Sequence, residues 1–207
     1  MDEDLKLAVL EHNKRDHKVE ITDAAISKVP YVKYRSIPES HYAVLQELTK
    51  EVLRVSRDEN DCNEVAITYN LDSPELALKG GKFIAVVKGD EHSVDPLAST
   101  DANHIYVSAR GCVVVITHNH PSLSKISLED AFYLLIHEAI KMIVAVTNRG
   151  SVSYLVKTDK YDRLESKKLL REAIAKEKAA KNLKQKQDAC NHFLNNCFET
   201  GLIFEDH

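Results

Sequence analysis

The sequence predicts an α/β (α+β) domain in which a mixed central β-sheet is flanked by helices. Two observations favour this fold class. Short β-branched apolar runs, which are typical of strands, alternate with longer stretches whose apolar residues recur every three or four positions, as in helices. Turn residues such as Gly, Pro, Asn and Asp separate these runs. The chain of 207 residues is long enough for one domain with an ordinary core plus extensions.

Residues 1–60 are predicted to form an N-terminal helical extension. The apolar residues within 5–10 favour a short helix. A second helix begins after Pro38, because the apolar positions that follow recur at three and four and so share one buried face. These positions are Tyr42, Leu45, Leu48, Val52 and Val55.

Residues 61–160 carry the predicted sheet. A strand over 64–71 and a second over 82–88 come first, and a helix over 96–110 follows them. The next strand, 112–117, leads through a loop to a helix over 128–138. Strands 142–147 and 151–157 form a hairpin, because Asn148-Arg149-Gly150 between them is a tight-turn sequence.

Residues 161–207 are predicted to form one long C-terminal helix, about 162–198, and a short apolar tail at 202–204. The helical stretch is rich in Lys, Glu and Ala and contains no Gly or Pro. Its middle, 176–186, is nearly all polar, which favours a solvated face. The sequence leaves open whether the helix packs on the core, on a partner or on a second copy in a homo-oligomer.

Composition narrows the function classes. The net charge of −4 gives no general case for a nucleic-acid partner. No apolar run is long enough to span a membrane, and the acidic N-terminus lacks the apolar core of a signal peptide, so a cytoplasmic location is expected. The four cysteines form no C-x-x-C pair and are expected to be reduced and structural.

The most informative stretch is Val113 to Asp130, VVVITHNHPSLSKISLED. Because residues i and i+2 of a strand point the same way, His118 and His120 can present both imidazoles on one side. Pro121 should stop the strand pairing. Ser127 is a good N-cap residue, and Asp130 falls at the third helical position, where its side chain can face the histidines.

Two imidazoles and one carboxylate are three ligands that suit a catalytic zinc ion with one open position. Such a site lowers the pKa of bound water toward ~7 and also needs a general base. Among the candidate carboxylates, Glu64, Glu75 and Glu91, we favour Glu64, because it opens the strand expected to neighbour the histidine strand. Ser127 is a candidate oxyanion donor as well as an N-cap.

These residues resemble a known family. His118-Asn119-His120-Pro121 followed by Ser127-x-x-Asp130 is similar to the JAMM (MPN-plus) metalloprotease motif, and the HNHPS wording is closest to RadC-like and phage or mobile-element members. The resemblance covers about residues 60–160, including NDCNEVAITYNLD and VTNRGSVSYLVKTDKYD. The loop from Pro121 to Ile126 is one residue shorter than the usual family spacing, which bears on loop shape more than on ligand identity.

The resemblance implies a cytidine-deaminase-like, MPN-domain architecture with a catalytic core at 61–160. It implies a zinc-dependent hydrolase that cleaves a peptide or isopeptide bond, including one to a ubiquitin-like conjugate. It carries His118, His120 and Asp130 over as metal ligands, Glu64 as the base and Ser127 as the oxyanion donor.

Two alternatives stay open. The same fold serves as a non-catalytic interaction module, with the charged C-terminal helix as its partner surface. A RadC-like, DNA-associated role is the second, and it rests on the basic stretch at 176–186 because the overall charge is acidic. The other histidines, including His92, His104 and His137, are expected to be surface or core residues and not ligands.

Overall fold

A computed structural model describes residues 18–207, so the short helix predicted within residues 5–10 lies outside the described range. In the described residues a six-stranded mixed sheet carries helices on both faces. This confirms the predicted fold class, a mixed central sheet flanked by helices.

The α-helices of the described range are α1 (Asp23–Lys28), α2 (Tyr42–Glu59), α3 (Thr100–Ser108), α4 (Leu128–Ile136), α5 (Arg163–Ala179) and α6 (Leu183–Asn196). Three of these helices, α2, α3 and α4, lie close to predicted positions, whereas α1 was not predicted. Short 3-10 turns occupy Glu39–His41, Pro74–Ala77 and Cys197–Thr200.

The strands are β1 (Val65–Asn70), β2 (Leu78–Lys79), β3 (Lys82–Phe83), β4 (Val86–Lys88), β5 (Val114–His120), β6 (Ile140–Thr147), β7 (Val152–Lys157) and β8 (Leu202–Asp206). The main sheet has the order β4-β1-β5-β6-β7-β8. Only the β5–β6 pair of this sheet is parallel, and β1 pairs with β5 antiparallel. The strand predicted over 82–88 is divided, because Lys82–Phe83 pairs with β2 across Gly80-Gly81.

Strand alternation divides the buried residues between the two faces of the sheet. One face packs against α1 and α2 and includes the odd-numbered β1 residues Val65, Ile67 and Tyr69. The opposite face packs against α4, α5 and α6 and includes Ala66, Ile116 and Ile143. The second face carries the candidate site at one end.

The C-terminal region differs from the prediction in two ways. The long helix is present as α5, but the helical pattern does not run unbroken to 198, because the chain turns at 180–182 and α6 packs back against α5. One helix of that full length would extend roughly 55 Å, well past the sheet. Folding back lets both helices bury apolar residues in the same core. The predicted apolar tail is the edge strand β8, which pairs with β7.

No helix within residues 18–207 is both long and apolar enough to cross a bilayer. The cysteines of the described range are all free thiols.

Candidate metal centre

The end of β5 presents His118 and His120 to the same side. The strand runs three residues beyond the predicted end and includes both histidines, which are 5% and 7% exposed. Parallel pairing with β6 continues to the pair His120 and Thr147, and the strand stops at Pro121, as predicted. The two ring centroids are 4.7 Å apart.

Helix α4 supplies the third candidate ligand from its first turn. Ser127 is the N-cap, and its hydroxyl accepts from the Asp130 amide at 3.1 Å. The Asp130 carboxylate accepts in return from the Ser127 amide at 2.7 Å. This capping box fixes the carboxylate at the helix N-terminus, where the macrodipole also favours negative charge.

Three ligand atoms converge between these two elements. His118 Nε2 lies 2.9 Å from His120 Nε2 and 3.0 Å from Asp130 Oδ1. His120 Nε2 lies 3.4 Å from Asp130 Oδ2. Ligands bound at 2.0–2.1 Å are separated by about 3.4 Å in a tetrahedron and by about 3.0 Å on an octahedral face. Each side chain also offers one ligand atom within 4.8 Å of the other two, so this triangle can accept a metal ion, although its dimensions do not select the element.

The loop between the strand and α4 fixes the protonation pattern of His120. Its Nδ1 lies 3.1 Å from the Ser124 carbonyl, which can only accept, so Nδ1 carries a hydrogen and donates. In the neutral ring Nε2 then offers a lone pair to the cluster. A histidine ligand held through its other nitrogen in this way is the usual arrangement at metal sites.

The three side chains form a charged cluster of low exposure. Burial raises the pKa of Asp130, but the charges of His118 and His120 outweigh it and hold that pKa well below its usual range. Burial lowers the pKa of His120, while the Asp130 and Glu64 carboxylates and the Ser124 carbonyl raise it to about 9. Without a metal, the charged form of His120 is therefore favoured beside the Asp130 carboxylate, whereas a metal ligand would be the neutral ring.

Glu64 reaches the same pocket from β1, one residue before the strand begins. Its side chain lines the pocket with both histidines and Asp130. Burial, together with the nearby carboxylates Asp130, Glu129 and Asp90, raises the pKa of Glu64 to about 8 against the lowering effect of His120. A pKa near neutrality suits a group that takes and returns a proton.

Only some of the other acidic residues and histidines considered from the sequence line this pocket. Glu91 and His92 line it, whereas Glu75 lies in the 3-10 turn at the far end of β1 and does not line it. His137 lies within 3.3 Å of the Tyr106 hydroxyl, away from the cluster. The residues lining the pocket are Glu64, Glu91, His92, Ser93, Val94, Pro96, Ile116, His118, His120, Pro121, Ser122, Ser124, Ser127, Glu129, Asp130, Tyr133 and Ile143.

Ser127 also lines the pocket, but its hydroxyl is engaged locally. It donates to Asp130 Oδ2 at 2.8 Å and accepts from the Asp130 amide. In this arrangement it acts as the helix cap and holds Asp130. The oxyanion role of Ser127 stays a prediction.

Sequence reasoning missed two groups that bear on the site. Ser124 orients His120, and Asn119, between the histidines, points to the opposite face, where it is fully buried. The signal for Asn119 was present in the sequence, because alternation places the middle residue of H-x-H on the other face of the strand. A polar residue there needs buried partners.

Among family models, curated proteins and solved structures, none matches this chain.

Proposed function

We propose that this chain is a zinc-dependent metallopeptidase or isopeptidase of the JAMM type, which hydrolyses a peptide or isopeptide bond with a metal-activated water. The observation that carries the proposal is the convergence of His118, His120 and Asp130, with Glu64 lining the same pocket. Two imidazoles and a carboxylate suit zinc, and the resemblance of the motif selects zinc among the metals that such a triangle accepts.

The side chains of the pocket have different roles in this reaction. His118, His120 and Asp130 are the ligands, and the Ser124 carbonyl and the Ser127 cap hold two of them in place. A bound zinc ion supplies positive charge that lowers the pKa of water and polarises the substrate carbonyl. Glu64 takes the proton of the attacking water and delivers it to the leaving amine.

Burial of Glu64 is suited to that proton transfer. Without a metal, its pKa of about 8 leaves the carboxyl largely protonated at neutral pH. A nearby divalent cation favours the carboxylate form, because an opposite charge lowers the pKa of an acid. The Glu64 carboxylate can then accept a proton from water at neutral pH and donate it to the leaving amine.

Metal content tests the ligands first. We expect about one zinc per wild-type chain by elemental analysis, with iron and manganese measured beside it, and loss of zinc in His118→Ala and Asp130→Ala. His104→Ala is the matched control, because His104 lies outside the cluster and should retain zinc. Retention of zinc by both ligand variants would contradict the site.

A peptidase screen tests the chemistry. The zinc-loaded protein should cleave peptide or isopeptide substrates, and Glu64→Gln should bind zinc but lose roughly 100-fold or more in kcat. Full activity in that variant would remove Glu64 as the base. Zinc binding without any cleavage would favour an interaction module, and a gel shift with single- and double-stranded DNA would reveal a DNA-associated role.

A further inference from the structure

The face of β5 opposite the candidate metal ligands carries a buried polar residue that the proposed reaction does not use. Asn119 lies between His118 and His120 in sequence, and strand alternation turns its side chain toward α2. The residue is 0% exposed. A buried amide of this kind needs hydrogen-bond partners at both ends, because each unpaired group is costly.

Asn119 has partners at both ends of its amide. Its Oδ1 accepts from the Val65 amide at 2.7 Å. Its Nδ2 lies 2.8 Å from Asn148 Oδ1 and 3.1 Å from Ser56 Oγ, and a longer contact of 3.2 Å reaches the Asn63 carbonyl. The side chain therefore joins β5 to α2, to the turn before β7 and to the segment that precedes β1.

The bond to Val65 matters because of where the strand ladder ends. The register between β1 and β5 ends at the pair Ala66 and His118. Beyond that pair the Val65 amide donates to the Asn119 side chain, and Glu64 is the next residue. The backbone that carries Glu64 is thus tied to the histidine strand through this side chain.

Asn148 extends the same network. Its Nδ2 donates to the Val19 carbonyl at 2.7 Å and to the Cys62 carbonyl at 3.1 Å, and its backbone amide donates to the His120 carbonyl at 3.1 Å. The residue is 0% exposed. It therefore connects the histidine strand to the chain that leads into Glu64.

We propose that Asn119 and Asn148 are positioning residues that set Glu64 against His118 and His120, an inference that rests on the proposed function. An amide is needed at 119, because one end must accept from Val65 and the other must donate to Asn148. Asp at this position would place its second oxygen against Asn148 Oδ1, and Ala would leave the Val65 amide without its acceptor.

The test combines structure, metal binding and kinetics for Asn119→Ala, Asn119→Asp and a control, Asn70→Ala. Asn70 is likewise a buried asparagine, but it ends β1 at the opposite end from Val65, and its side chain accepts from the Asp72 and Ser73 amides. In crystals of the metal-free proteins, we expect Glu64 to move about 1 Å relative to the histidines in both Asn119 variants only. A shift of that size costs roughly 100-fold in rate.

The kinetic result should separate positioning from general damage. Both Asn119 variants should bind zinc within tenfold of the wild-type affinity, lose roughly 10- to 100-fold in kcat and change KM less than threefold. Asn70→Ala should keep kcat within twofold, even with an equal drop in Tm. An equal kcat loss in Asn70→Ala, or unchanged kcat in the Asn119 variants, would overturn the inference.

The metal-free crystals keep the two proposals distinguishable. If the wild type binds no zinc or cleaves nothing, the proposed function is wrong. If Glu64 does not move in the Asn119 variants, the positioning claim is wrong, whatever the result for zinc and activity. Should both Asn119 variants fail to fold, Ser56→Ala removes one partner of Asn119 Nδ2 and should move Glu64 by a smaller, measurable distance. No movement in that variant would also overturn the claim.

Discussion

Zinc should stabilise the folded chain, and Asp130→Asn should abolish that effect. The two imidazole Nε2 atoms and the Asp130 carboxylate already lie within 2.9 to 3.4 Å of one another, so binding needs little rearrangement. A ligand that binds only the folded state contributes about 2.7 kcal/mol at a free concentration of 100 Kd. For a chain of this size, each kcal/mol raises Tm by about 2–4 °C, which predicts a zinc-induced shift of about 5–11 °C.

Asp130→Asn also weakens the helix cap, so its control must share that defect. Ser127→Ala removes the hydroxyl of the same capping box but keeps the carboxylate. Without metal, Ser127→Ala should lose about 0.5–2 kcal/mol of stability. Asp130→Asn should lose at least as much, because it also removes the carboxylate beside His120. In scanning fluorimetry with chelator-buffered zinc, only Ser127→Ala should keep the zinc-induced shift. A full shift in Asp130→Asn, or none in the wild type, would refute the reasoning.

Three further predictions concern Ser127, Lys157 and Gly201. Ser127→Ala at saturating zinc should lose roughly 100-fold in kcat if the hydroxyl also serves as an oxyanion donor; a loss below tenfold in steady-state assays would leave it the cap role alone. Lys157 is 3% exposed, and burial lowers its pKa from 10.5 to about 8. The unfolded chain therefore binds more protons between those two values, so the free energy of unfolding should rise with pH there, by up to roughly 3 kcal/mol. Urea unfolding of Lys157→Met from pH 7.5 to 10.5 should lack this rise, and an unchanged slope would contradict it. Gly201→Ala should cost roughly 2–4 kcal/mol in the same urea assay, because φ is +77° and a Cβ would lie 2.3 Å from the Lys160 backbone. Gly81→Ala shares the positive φ without the clash and should cost less; equal losses would refute the clash.

The strand–loop–helix part of the site was predictable because its determinants are local. His118 and His120 share a face by strand alternation, and Ser127 and Asp130 form the predicted capping box. Each relation spans four residues or fewer along the chain. Backbone geometry fixes such relations whatever the rest of the fold does.

Glu64 was a weaker prediction because its place depends on strand pairing. The sequence favoured β1 as the neighbour of β5, but the register that aligns Ala66 with His118 comes from side-chain packing on both faces. Asn119 was missed for a related reason. Its partners Ser56 and Asn148 lie on a distant helix and a later turn, and nothing in the local pattern names them.

The C-terminal region shows where local pattern reading fails. The stretch 162–198 has helical propensity throughout, yet Asn182 caps a new helix and the chain folds back. The reversal buries Ile174 and Phe193 in one cluster, a gain that depends on the sheet below and not on propensity. Strand β8 likewise forms because β7 offers an edge for pairing.

Buried polar groups lie on both faces of β5 near its end, and on each face one of them, Thr117 Oγ1 or His118 Nδ1, has no hydrogen-bond partner among the described residues. On the α2 face, both ends of the Asn119 amide have hydrogen-bond partners. On the opposite face, two imidazole nitrogens face each other at 2.9 Å beside a carboxylate, and His118 Nδ1 has no hydrogen-bond partner among the described residues. A buried unpaired group costs about 1–3 kcal/mol. What distinguishes the His118 face is the close approach of two imidazole nitrogens and a carboxylate, which a metal-binding role explains better than a structural one.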